Sequence, residues 1–269
     1  MTIDPTARIH PSAIVEDGAT IGANAKIGPF CTVGPEVTLA EGVELISHVA
    51  VAGITSVGAR TRIWPFASIG HQPQDLKYAG EPTRLEIGSD CMLREHVTMN
   101  PGTVQGGGLT KIGDRCLFMM STHAGHDCQV GSNVIVANNV PLAGHVTVGD
   151  FAVIGGNAAI HQFCRIGHGA MVGGLTGVER DVIPYGSVTG DRAHLAGLNL
   201  IGLKRRGLPR EEIHALRAAF REIFEAGEGS LDEKAAAAAK AHEGSVLVAE
   251  VTAFLLGDSK RGFVTAAQG

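Results

Sequence analysis

Residues 9–39 read IHPSAIVEDGATIGANAKIGPFCTVGPEVTL, and within them Ile9, Val15, Ile21, Ile27, Val33 and Leu39 stand six apart. The cadence continues through Leu45, Val51, Val57 and Ile63 to Ile69, returns in phase at Ile87, Leu93 and Met99, and then slips by one residue. From Ile112 it runs through Phe118, Ala124, Val130, Val136, Leu142, Val148, Ile154, Ile160, Ile166 and Val172 to Val178. Small or β-branched residues such as Ala13, Ala19, Ala25 and Cys31 follow four places after the aliphatic ones. A helix repeats its apolar face about every 3.6 residues and a half-buried strand every two, so neither sustains this period. A parallel β-helix does. Each hexad supplies a short strand and a tight turn, three hexads close a triangular coil, and coils stack at about 4.8 Å with the aliphatic residue inward. Glycines such as Gly22, Gly28 and Gly34 are expected to make room for the bends.

Two stretches interrupt the rhythm, GHQPQDLKYAGEPTR near residues 70–84 and NPGTVQGGGLT near residues 100–110, and both read as loops projecting from the prism. The hexads end near Val178, which divides the chain into a prism over residues 1–190 and a helical domain over residues 191–269. The segment GLPREEIHALRAAFREIFEAG reads as an amphipathic helix opened by Pro209, with Glu211 and Glu212 in its first turn and Ile213, Leu216, Phe220, Ile223 and Phe224 on one face. Further helices are expected around Leu231–His242 and Val246–Leu256, together capping the open end of the solenoid.

No apolar run approaches the ~18 residues that span a bilayer, and the first residues, MTIDPTARIHPS, lack a signal-peptide core. A cytoplasmic protein without stable membrane insertion is expected. The net charge is −5, and no nucleic-acid partner is expected. Cys31, Cys91, Cys116, Cys128 and Cys164 each fall four residues after an inward position, the place of a buried filler rather than a disulfide or zinc ligand.

Histidine carries the expected chemistry. His123, His126, His145, His161 and His168 lie in the second block of hexads. Residues 18 apart stack on neighbouring coils, which sets His126 over Gly144 beside His145, His161 over Ala143, and Gln162 one coil further. An imidazole next to a carboxylate, as in His126-Asp127, suits a general base near neutral pH, provided the pair occupies a turn. The chain has no GxSxG elbow and no GxxxxGK[ST] loop. A serine or cysteine nucleophile stays open, although Cys128 belongs to the packing series, and direct transfer between two bound substrates, promoted by a base, is the natural expectation.

The hexads, the loop QDLKYAGEPT, the segment GTVQGGGLTK, HxxHDC at His123–Cys128, LAGHV at Leu142–Val146, HQFC at His161–Cys164 and GLKRRG at Gly202–Gly207 together resemble the UDP-N-acetylglucosamine acyltransferase family of lipid A synthesis. The resemblance covers essentially the whole chain. It implies an all-β left-handed parallel β-helix followed by a small α-helical domain, and a homotrimer with sites between subunits. It also implies transfer of an (R)-3-hydroxyacyl group from acyl carrier protein to the glucosamine 3-hydroxyl of UDP-N-acetylglucosamine, with no cofactor and no metal. On this resemblance His126 is the base, Asp127 orients it and the Gly144 N–H holds the oxyanion. Gln74, Asp75, Lys77, His123, His145, His161 and Gln162 then position sugar and acyl groups, Asn199, Arg205 and Arg206 meet the nucleotide, and Gly174 measures the acyl chain. Asn100-Pro101 stands where relatives often carry a basic pair, and Ile201 where they carry an acid. The alternatives are another hexapeptide acyltransferase, a γ-type zinc carbonic anhydrase built on His126, His145 and His161, or a non-catalytic binding solenoid.

Overall fold

Strands of mostly two residues recur from Thr2–Ile3 onward, joined by two-residue turns, and sort into three sheets of nine, eleven and nine strands. The computed structural model describes residues 2–225 and 228–266. Each strand pairs in parallel with its equivalent one coil on, as in Thr20↔Thr38 and Ile21↔Leu39, so the coil is 18 residues long. The result is a left-handed parallel β-helix.

Both members of each apolar pair in a hexad point inward. Ile21, Ala25, Ile27 and Cys31 are buried, and the pattern persists to Val178. Ile9 and Val15 are only partly buried, because they line the first coil, which has no coil beneath it. All five cysteines are free and buried, as their place in the hexads predicts.

The turns are not made by the glycines that follow the strands. The left-handed position falls on Asn24, Phe30, His48, Phe66, Asp127, His145 and Phe163, among others, with φ between 51° and 67°. The N–H of such a residue donates one coil below, to a turn carbonyl as from His145 to His126 at 2.9 Å, or to a hydroxyl as from Asn24 to Thr6 Oγ1 at 2.8 Å, and this offsets the conformational cost. The glycines instead allow close approach: a Cβ on Gly28 would lie 1.8 Å from the Ile46 carbonyl oxygen of the next coil.

The two interruptions are loops. Ser68 pairs with Thr98, thirty residues on, and Thr98 with His123, twenty-five on, which is what shifts the later hexads by one residue. The first loop is largely exposed, with Leu76 wholly in solvent. The second does not simply project. Asn100 to Thr103 are buried, and only the 3-10 turn Val104–Gly106 with Gly107 stands out.

The last parallel strand, Gly186–Thr189, turns back into His194–Leu198, which pairs with it antiparallel and ends the eleven-stranded sheet. Four helices follow among the described residues: α1 (Leu200–Arg205), α2 (Arg210–Phe224), α3 (Leu231–Ala241) and α4 (Val246–Leu256). The short α1 lies outside the sequence expectation. Pro209 is the N-cap of α2, and Ile213, Leu216, Ala219 and Ile223 form its buried stripe, with Phe220 and Phe224 half-buried at its edge. Ser230 and Glu233 close a capping box on α3. The segment after α4 returns to the prism, where Asp181 N–H donates to the Gly262 carbonyl and Val264 N–H to the Asp181 carbonyl. No helix among the described residues is long and apolar enough to cross a membrane.

Candidate active site

One edge of the prism carries the turns His126-Asp127, Gly144-His145 and Gln162-Phe163 on successive coils. His126 and Asp127 do occupy a turn, and the φ of 60° at Asp127 swings its carboxylate back toward the ring. His126 Nδ1 lies 2.8 Å from Asp127 Oδ2, which assigns the proton to Nδ1 and leaves Nε2 as the free base. The ring lies over Gly144: a Cβ there would be 2.6 Å from both Cε1 and Nε2 of His126. The Gly144 N–H makes no hydrogen bond among the described residues, so it is available to a ligand.

Asp127 is buried and fixed from the second loop. Thr103 donates its N–H to Oδ1 at 2.8 Å and its hydroxyl to Oδ2 at 2.6 Å, and Asp127 N–H donates to Thr110 Oγ1 at 2.7 Å. The glycines of GTVQGGG gain a reason here. A Cβ on Gly106 would sit 2.0 Å from Asp127 Cγ, and one on Gly102 would sit 2.8 Å from its Oδ1. Asn100 serves as a tether: its amide donates to the carbonyls of His71 at 2.9 Å and Gln72 at 3.1 Å, tying the roots of the two loops together.

Around the base, His145 meets His126 edge-on at 5.0 Å and stacks on Phe163 at 4.4 Å. Burial pushes His145 below the usual imidazole range, partly opposed by the Asp127 charge. Burial, then nearby His126, pushes His123 down as well, and its Nδ1 is 2.7 Å from the Thr98 hydroxyl. Both rings are therefore neutral near pH 7 and suited to hydrogen bonding. Asp75 accepts from Lys77 N–H at 3.0 Å within the first loop, and its charge acts on His145. Gln74 and Lys77 are exposed beside it, and Gln162 is exposed one coil above Gly144. His161 contacts Arg261, whose Nε also donates to the Gln162 carbonyl at 2.9 Å.

The remaining expected residues lie elsewhere. Gly174 belongs to a second edge, stacked on Gly156 across the sheet that contains His123–Ala124. Arg206 stands at the third edge, its guanidinium 4.1 Å from the Phe151 ring centroid, and Arg205 is exposed. Asn199 caps α1, accepting from Gly202 N–H at 2.9 Å and donating to the Gly169 carbonyl at 3.0 Å. Ile201 is exposed at the start of that helix. Thr103, Thr110 and Phe163 escaped the sequence reading. Only Phe163 left a signal there, 18 residues beyond His145.

His126, Asp127 and His145 place ligand atoms within 4.8 Å of one another, but His161 is not in that group. Within one chain, His161 therefore does not join His126 and His145.

An imidazole held by a buried carboxylate, beside an unused backbone N–H on a left-handed β-helix built of hexads, fits the class of hexapeptide-repeat acyltransferases. Hexapeptide transferase repeats match residues 2–35, 12–47 and 109–140, and the family described as UDP N-acetylglucosamine O-acyltransferase, domain 2, matches residues 181–264. The chain belongs to the acyl-[acyl-carrier-protein]–UDP-N-acetylglucosamine O-acyltransferase family. It is 54% identical over 202 residues to the member from Paracoccus denitrificans, covering 75% of this chain and 76% of that one. The Rhizobium leguminosarum member is 49% identical over 229 residues, covering 85% and 84%. Among solved structures, UDP-N-acetylglucosamine acyltransferase from Campylobacter jejuni superposes with a TM-score of 0.91 at 35% identity, over 97% of this chain and 100% of that one. The Moraxella catarrhalis enzyme gives 0.87 at 42% identity, over 98% and 100%.

Proposed function

We propose that this chain transfers an (R)-3-hydroxyacyl group from acyl carrier protein to the 3-hydroxyl of UDP-N-acetylglucosamine, the first step of lipid A synthesis, in the cytoplasm. The observation that carries this reading is the contact of His126 with buried Asp127 on one side and with Gly144 on the other. Nε2 of His126 takes the proton of the sugar hydroxyl as its oxygen attacks the thioester carbonyl. Asp127 holds the resulting imidazolium. The Gly144 N–H donates to the oxyanion of the tetrahedral intermediate. Collapse breaks the carbon–sulfur bond, and the departing thiolate takes the proton back from His126. No step calls for a metal or a cofactor.

His123, His145, Gln162, Asp75, Gln74 and Lys77 surround this base and position sugar and acyl groups, with His161 beside them. Gly174, with no side chain on its edge, leaves room for a long acyl chain of about fourteen carbons by family resemblance. Asn199, Arg205 and Arg206 take the nucleotide, yet they stand on a different edge from His126, so one chain cannot bring both sets to one ligand. A homotrimer, in which one copy's edge faces another's, removes the difficulty. The exposed ladder Phe30, His48, Phe66 and His96 is consistent with such packing, with ring centroids 4.9 to 5.1 Å apart. Residues 1–190 form the catalytic prism and residues 191–269 the accessory domain.

The test is incubation with UDP-N-acetylglucosamine and a panel of 3-hydroxyacyl carrier proteins, with the product weighed by mass spectrometry. His126→Ala should lose at least ~10²-fold in rate. Light scattering should give three times the 27.9 kDa chain mass. Full activity in His126→Ala refutes the assigned base.

A further inference from the structure

The edge that carries His126 continues into a recess whose arginines and lysine have no part in the steps described above. His161, Glu179, Arg180, Lys260 and Arg261 line a cavity of about 360 Å³ one coil beyond Gly144 and His145. Two of its cations come from the segment after α4, which is held firmly to the prism. Ser259 Oγ donates to buried Asp181 at 2.8 Å, and Asp181 N–H donates to the Gly262 carbonyl at 2.8 Å. Arg261 is oriented by its bond to the Gln162 carbonyl and its contact with His161. The Lys260 ammonium lies 4.8 Å from the Phe163 ring centroid, and Phe163 is the ring that stacks on His145. The recess is thus joined by direct contact to the ring beside the base.

Its charge is unbalanced. The single carboxylate, Glu179, pairs with Arg192, while Arg180, Lys260 and Arg261 enter no ion pair among the described residues. Three unpaired cations converging in one recess, on a chain of net charge −5, form a site for a compact anion. A pre-oriented guanidinium beside an ammonium matches the oxygens of a phosphate group. Within one chain Arg206 cannot serve this site, since it is stacked on Phe151 at another edge.

We propose that Arg180, Lys260 and Arg261 bind a substrate phosphate. This rests on the transfer reaction proposed above, which brings two such groups to the catalytic edge: the diphosphate of the sugar nucleotide and the phosphodiester of the carrier's pantetheine arm.

The experiment compares wild type with Arg180→Ala/Lys260→Ala, which leaves the anchored Arg261 in place, after circular dichroism and melting confirm that the variant folds. Dissociation constants are measured by calorimetry for UDP, for 3-hydroxyacyl-phosphopantetheine and for phosphate-free 3-hydroxyacyl-pantetheine. The expected result is a loss of about tenfold or more for one phosphate-bearing ligand. A loss confined to UDP assigns the recess to the diphosphate. A loss for acyl-phosphopantetheine, with acyl-pantetheine unchanged, assigns it to the phosphodiester. Constants for both phosphate ligands within twofold of wild type overturn the proposal, and so does an equal loss for the phosphate-free ligand. These readings need no turnover, so a wild-type protein that binds phosphate in this way yet acylates nothing sinks the transfer reaction and leaves the recess standing.

Discussion

Replacing Gly144 with alanine should separate catalysis from folding. The new methyl carbon would lie 2.6 Å from Cε1 and Nε2 of His126, whereas ordinary contact begins near 3.4 Å, so the ring must retreat by about 0.8 Å. The obstructing atoms are the far end of a side chain exposed on one face, so the coil itself need not shift. The same retreat is enough to stretch the 2.8 Å bond from His126 to Asp127 beyond hydrogen-bonding range and to move Nε2 off the line to the sugar hydroxyl. Misplacing a catalytic group by an ångström costs on the order of 10²-fold in rate. That corresponds to about 2.7 kcal/mol in the barrier. The assay is steady-state acyl transfer followed by mass spectrometry, with a melting curve on the same preparation. The expected result is a fall of about 10²-fold in kcat with Tm within about two degrees of wild type. Gly34→Ala, where the added carbon meets nothing closer than Ala52 Cα at 3.4 Å, serves as the control and should change neither quantity. A Gly144→Ala enzyme within about threefold of wild-type kcat would refute the placement of the base over this glycine.

Thr103→Val removes the 2.6 Å hydroxyl bond to a buried carboxylate while keeping the side chain's shape. Stability should drop by about 1–3 kcal/mol, and kcat should fall with it. A variant that matches wild type in both melting and rate would show that the second loop does not hold Asp127. Burial holds His123, His145 and His168 below the usual imidazole range. The unfolded chain then binds protons, from about pH 6.5 downward, that the folded chain refuses. The associated stability is intact above that pH and declines as pH falls toward the depressed folded values, so Tm should be level from pH 8 to 7 and drop from pH 6.5 to 5. A shallower slope in His123→Gln would locate part of the effect, and a Tm that rises on acidification would contradict it. Burial also pushes the thiols of Cys128 and Cys164 up to about 12, and all five cysteines are closed to solvent. A thiol reagent should label none of them in the native protein and all of them in guanidinium chloride; rapid native labelling of any one would show that its coil opens locally.

The period of six determined the prism by itself, because a buried stripe repeating every hexad has no other stable partner than its own copies above and below. It placed the two interruptions; Pro209 marked the start of α2, and the spans expected for α3 and α4 agree with the structure to within a residue. Coil length alone also brought His126, Gly144, His145 and Gln162 to one edge, since residues 18 apart must stack. What only the tertiary structure decided are contacts made by chain that left the repeat. Thr103 reaches Asp127 from a loop with no period, Lys260 and Arg261 return from beyond α4 to the catalytic edge, and Arg206 turns toward Phe151, away from His126. A repeat fixes positions by counting. A loop or a terminal segment is placed by whichever hydrogen bonds and charges it happens to satisfy in three dimensions, and no spacing in the sequence encodes that outcome.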